Sequence, residues 1–129
     1  MRKTTYAFTL ISLTLLLAGS SCGKDDSGVD YAANADCSAT VSSDNTYNLE
    51  IKDILNTNCA TAGCHDAVTA TEGVDLSDYA KAKNAFEKKP VLCAIHHGSG
   101  CKPMPNTGGQ LSNSDINKID CWVKSGYLQ

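Results

Sequence analysis

An all-α fold of three to five short helices is what the sequence predicts, and three observations predict it. Apolar residues recur at helical spacing in three separate stretches, at Leu49/Ile51/Ile54/Leu55, Tyr79/Ala82/Phe86 and Ile116/Ile119/Trp122/Val123. Each stretch is preceded by a residue suited to cap a helix: Thr46 or Asp44, Ser77, and Ser112. Two of them meet a stop signal, Pro90 and Gly126.

The chain has 129 residues, enough for one small domain. Its first 21 residues read as an export signal: Arg2 and Lys3 give a positive start, Phe8 to Ala18 is an apolar run, and Ala18-Gly19-Ser20-Ser21 are small residues. The run is about half of the roughly 20 apolar residues needed to span a bilayer. Cys22 follows directly, so the stretch resembles a bacterial lipoprotein signal in which Cys22 is acylated and becomes the new N-terminus. Lys24-Asp25-Asp26 resembles the charged tags that send lipoproteins to the cell surface in the Bacteroidetes. The expected location is the cell envelope, as an outer-membrane lipoprotein facing the periplasm or the surface. Residues 22–45, with Ser27-Gly28, Asn34 and few large apolar groups, read as a tether, and residues 46–129 as the domain.

Without Arg2 and Lys3, nine lysines face fourteen acids, a formal charge of −5. Nothing in that balance attracts nucleic acid.

The first domain helix carries Glu50 and Asp53 in its early turns, where acids favour the helix dipole, and it leads to Cys59. A polar loop runs from Asp66 to Asp75. The second helix follows Ser77 and runs toward Lys88, and Val91 to Ile95 is a further apolar piece. Gly98-Ser99-Gly100 marks a turn, and Met104 sits between Pro103 and Pro105. Ser112-Asn113-Ser114-Asp115 is a capping box that opens the last helix. Trp122 is expected as a packing anchor, and Cys121 falls on the side opposite the apolar stripe.

Seven cysteines in an exported chain need an account, because thiols outside the cytoplasm are normally oxidised or occupied. Cys59-Ala60-Thr61-Ala62-Gly63-Cys64-His65 supplies part of it. Two thiols followed at once by an imidazole is the arrangement that attaches c-type haem, although the usual spacing has two intervening residues where this chain has four. With Cys22 assigned to lipid and Cys59 and Cys64 to haem thioethers, Cys37, Cys93, Cys101 and Cys121 remain. They form two disulfides in one of three connectivities, of which we favour Cys93 with Cys101 and Cys37 with Cys121. Without haem, six cysteines give three disulfides, so parity does not choose between the readings.

From about residue 46 to 128 the order of parts resembles a small class I cytochrome c, close to the single-haem lipoprotein cytochromes of Bacteroidetes. The matching parts are an entering helix, the attachment motif ending in His65, a middle helix after Asp75-Leu76-Ser77, the Met104-Pro105 loop, and the terminal Ile116-x-x-Ile119-x-x-Trp122-Val123 helix. The resemblance implies one haem c, with His65 as proximal iron ligand and Met104 as distal ligand. His96 and His97 are the alternatives to Met104. It also implies that Tyr79 and Phe86 pack against the porphyrin edge. Six-coordinate iron leaves no open position for substrate, so the expected activity is electron transfer and not catalysis. The expected partners are redox proteins, with basic or neutral surfaces suiting an acidic chain, and the membrane through the lipid anchor. The competing readings are a haem-free, disulfide-rich surface lipoprotein with a binding or structural role, a peroxidase that loses Met104 from the iron, and a zinc site of Cys59, Cys64, His65 and Cys93.

Overall fold

The computed structural model describes residues 29–38, 40 and 43–129. The expected export signal, the expected acylation site Cys22 and the Lys24-Asp25-Asp26 stretch lie outside the described residues.

Among the described residues the chain is helical, with four α-helices and no strand. A π-helical turn, Tyr47–Ile51, runs straight into α1, Lys52–Asn58; then come α2, Tyr79–Lys88, α3, Val91–Ile95, and α4, Asn113–Lys124. A single 3₁₀ turn, Thr71–Gly73, interrupts the loop between α1 and α2.

Leu49 is not on the buried face of the first helix. Tyr47 and Ile51 are buried at the two ends of the π-turn, and Leu49 between them is 62% exposed. At about 100° per residue Leu49 stands about 160° from Ile51 around the helix, so it faces away from the side that Ile51, Ile54 and Leu55 bury. Thr46 holds the cap position without a side-chain bond; its carbonyl accepts from the Glu50 and Ile51 amides.

The cap of α2 is also shifted by one residue. Asp78, not Ser77, accepts the Lys81 amide, at 2.9 Å. Ser77 instead donates its hydroxyl to Asp75 at 2.6 Å, and Asp75 pairs with Lys81 at 2.8 Å. In α4 the Ser112 hydroxyl accepts the Asp115 amide at 3.1 Å and donates to the Asp115 carboxylate at 2.8 Å. That helix closes at Gly126, whose φ of 83° is the left-handed conformation glycine adopts without crowding from a Cβ.

Trp122 is fully buried at the centre of the core and donates its indole N–H to the Leu128 carbonyl at 2.8 Å. Phe86 and Tyr127 meet it edge-on, with ring centroids 5.5 and 5.0 Å away. Tyr47 lies 6.1 Å from it and 5.4 Å from Tyr79. Aromatic pairs of this geometry add about 0.5–1.5 kcal/mol each beyond area burial. Ile51, Leu55, Ile119 and Ala82 complete the most deeply buried layer.

Two disulfides brace the domain: Cys37–Cys121, joining residues 84 apart, and Cys93–Cys101, joining residues 8 apart. The N-terminal segment differs from the expected tether well before the boundary at residue 46. Ala32 and Asn45 are buried, the Asp36 amide donates to Asn117, and Tyr31 packs on His96 with ring centroids 5.1 Å apart. From Tyr31, six residues ahead of Cys37, its described residues are therefore packed on the domain, held there by the long disulfide and by contacts that individually polar residues do not advertise.

Candidate functional site

Helix α1 ends at Asn58 with Cys59 as its C-terminal cap, its amide still donating to Leu55 C=O at 2.8 Å. The segment Cys59 to His65 then closes on itself: the His65 amide returns to Cys59 C=O at 3.1 Å, and the Cys64 amide to Thr61 C=O at 2.9 Å. Gly63 makes the turn possible at φ 83°, a conformation a side chain would crowd. The four-residue spacing between the thiols is thus a hydrogen-bonded loop.

Asp66 holds this loop from outside. Its carboxylate accepts the amides of Thr69 at 2.6 Å, Val68 at 3.0 Å and Gly63 at 3.2 Å. Those bonds, that from Thr69 first, keep its carboxyl below the usual carboxylate range. Sequence reading assigned Asp66 no role. The available signal was an acidic residue directly after the Cys-His pair with Thr69 three positions on, the spacing of an Asx-type turn.

His65 is half-buried, and its Nδ1 donates to the Val74 carbonyl at 3.0 Å. The acceptor is a carbonyl, so Nδ1 carries a proton, and the neutral tautomer that fits this bond has its lone pair on Nε2. That tautomer is the one a metal-ligating imidazole uses.

These residues line one cavity of about 640 Å³, which Cys59, Cys64, His65 and Met104 enter together. Its volume falls within the roughly 300–1,000 Å³ usual for ligand and cofactor sites. Apolar lining comes from Val74, Leu76, Val91 and Leu111. Met104 reaches the cavity from the loop after α3, where its amide donates to Ala94 C=O at 3.0 Å.

Cys59 and Cys64 are free thiols, the former half-buried and the latter exposed. Burial, followed by the neighbouring Cys64, pushes the Cys59 thiol up to about 11. A thiol that stays protonated at neutral pH is a poor attacking group for disulfide exchange. Cys93 is bonded to Cys101, which removes it from the zinc arrangement. Among the described residues no group of three or more His, Cys, Asp or Glu stands together as a metal cluster.

The two alternative distal histidines do not line the cavity. His96 directs Nε2 to the buried Asp120 carboxylate, at 2.9 and 3.0 Å. His97 directs its Nε2 to the Met104 carbonyl at 3.2 Å. Tyr79 and Phe86 are likewise absent from the cavity wall; Tyr79 donates its hydroxyl to Tyr127 C=O at 2.7 Å, and Phe86 packs on Trp122. The aromatic core thus lies behind the site and not on its face.

No family model, curated protein or solved structure matches this chain.

Proposed function

We propose that this chain is a c-type electron carrier that holds one haem in the cavity above, on an exported protein anchored to the membrane by lipid at Cys22. The observation that carries the reading is the convergence of two free thiols, a Nδ1-protonated His65 and Met104 on one cavity of about 640 Å³. The donor set fits the group. Cys59 and Cys64 would each add an S–H bond across a vinyl group, sulfur to one carbon and hydrogen to the other, with no oxidant consumed. His65 would offer Nε2 to the iron, and Met104 its thioether sulfur from the facing loop.

Haem held by these residues would supply one-electron chemistry, and ligation by the Met104 thioether together with the His65 imidazole would raise its potential. The chain's own contribution is to hold the ligands still. Val74 C=O orients His65, the backbone of α3 and the Cys93–Cys101 bridge hold the Met104 loop, and Asp66 clamps the attachment loop. With His65 and Met104 both held as ligands the site would offer substrate no place at the metal, which favours electron transfer over peroxidase chemistry. The acidic charge of −5 on residues 22–129 suits a redox partner with a basic or neutral contact surface.

Export of the full chain in a cell with haem-attachment machinery tests this. Haem should remain on the polypeptide after denaturation, and Met104→Ala should remove the far-red methionine-to-iron absorption of the ferric protein. Wild-type protein that keeps no haem after denaturation sinks the reading.

A further inference from the structure

Helices α3 and α4 close with the same pair of backbone bonds but place different residues at the left-handed position. In α4 the Tyr127 amide returns to Trp122 C=O and the Gly126 amide to Val123 C=O, with Gly126 at φ 83°. In α3 the Gly98 amide returns to Cys93 C=O and the His97 amide to Ala94 C=O, and the left-handed residue is His97, at φ 53°. Glycine is favoured there because a Cβ crowds the backbone. Gly98 stands one residue too late to fill the position, so the cap is met by a residue whose value must lie in its side chain.

That side chain reaches the Met104 loop. His97 Nε2 donates to Met104 C=O at 3.2 Å, while Met104 N–H donates to Ala94 C=O at 3.0 Å. The peptide groups on both sides of the Met104 Cα are thereby tied to the end of α3. Pro103 and Pro105 carry no N–H, so neither neighbour has an amide with which to replace these bonds. The Cys93–Cys101 bridge fixes the two ends of the turn between them, and the Gln110 side-chain amide donates to Ile95 C=O at 3.0 Å further along the loop.

We infer that His97 is a positioning residue for the distal ligand: its left-handed backbone aims the imidazole at the Met104 carbonyl and sets where the thioether projects into the cavity. What the thioether binds rests on the electron-carrier reading; that the imidazole fixes the loop does not. This role is distinct from iron ligation by His97, because Nε2 is engaged with the carbonyl and the residue stands outside the cavity wall.

The informative variant is His97→Gly in the full chain, since glycine suits the left-handed backbone and lacks only the imidazole. Global stability to urea should be retained. In haem-free protein the Met104 amide should exchange with solvent about 5-fold faster, the ratio equivalent to one hydrogen bond of about 1 kcal/mol. In haem-loaded protein, added imidazole should displace the methionine at about 5-fold lower concentration, with a weaker far-red band. His97→Gln, which restores an N–H donor, should recover most of both. Unchanged Met104 exchange in His97→Gly overturns the inference, as does His97→Gln behaving like His97→Gly. If the wild type carries no covalent haem, the electron-carrier reading fails by that result alone, and the exchange measurement still decides the role of His97.

Discussion

His65 donates from Nδ1 to the carbonyl oxygen of Val74, nine residues along, at 3.0 Å. The loop from Asp66 to Asp75 is therefore more than a spacer. It returns the chain so that Leu76 N–H meets His65 C=O at 2.9 Å and Thr71 N–H meets Cys64 C=O at 3.0 Å, which fixes the orientation of the imidazole. A ligand fixed in this way should be replaceable in place. We predict that His65→Gly in haem-loaded protein loses the six-coordinate low-spin spectrum and regains it with millimolar imidazole. A variant that keeps the low-spin spectrum without added imidazole assigns the proximal role to another residue.

The two disulfides should do separable work. In the chain-entropy account, a bridge over 84 residues stabilises by about 4–5 kcal/mol and one over 8 residues by about 2–3 kcal/mol. Replacing Cys37 and Cys121 together by serine should therefore cost more stability in urea than replacing Cys93 and Cys101. The ligand signature should respond in the opposite order. Cys93 and Cys101 flank the turn that carries His97, and Cys101 lies three residues before Met104, so their loss should weaken the far-red band at temperatures where the Cys37/Cys121 variant keeps it. Equal losses of the band in both variants would show that the short bridge has no special hold on the loop.

Acid stability should depend on Asp75. The Lys81 ammonium, with help from Ser77, holds its carboxyl at about 2, against the usual 3.8. A depressed carboxylate binds fewer protons folded than unfolded, so its contribution is present above about pH 4 and is lost as pH falls toward 2. Asp75→Asn removes that dependence. Urea midpoints measured at pH 2, 3, 4 and 5 should rise less steeply with pH in the variant than in the wild type. The opposite slope is expected from Asp120, whose carboxyl is pushed up chiefly by burial, against the opposing bond from His96. Its folded form binds protons more readily than its unfolded form, so it favours folding at low pH and opposes it as pH rises through the folded value.

What could be read from the chain before its structure was local chemistry with a fixed offset. Ser112 with Asp115 gives a capping box and Gly126 a helix stop, because each depends on residues whose separation in sequence is their separation in space. The disulfide partners were legible at long range only through the helical wheel that set Cys121 opposite the apolar stripe and through the position of Cys37 ahead of the domain. Less could be said where a backbone group is the partner. Val74 and Ala94 act through carbonyls that every residue carries, so nothing in their side chains marks them. Leu49 stands two residues from Ile51, about 200° around an α-helix, so the helical period itself turns it away from the Ile51/Ile54/Leu55 side. The turn after α3 was visible in Gly98-Ser99-Gly100, yet the left-handed residue is His97, because the cap geometry counts from the helix end and not from the nearest glycine.

Tyr47 and Tyr79 offer a matched comparison, since their rings pack 5.4 Å apart and one hydroxyl has a partner while the other has none. Tyr79 donates to Tyr127 C=O at 2.7 Å. The Tyr47 hydroxyl is buried without a hydrogen-bond partner among the described residues, and burial, with Asp78 and Asp75 as lesser causes, raises its pKa. Removing the same oxygen should therefore have different consequences at the two positions. Tyr79→Phe leaves a carbonyl short of its donor and should cost about 1 kcal/mol. Tyr47→Phe removes a desolvated group that gains nothing in return, while the ring keeps its contacts with Trp122 and Tyr79, and should be neutral or stabilising by up to about 1 kcal/mol. Urea unfolding of the two variants beside the wild type checks both, and a loss at Tyr47 as large as that at Tyr79 would mean that its hydroxyl has a partner after all.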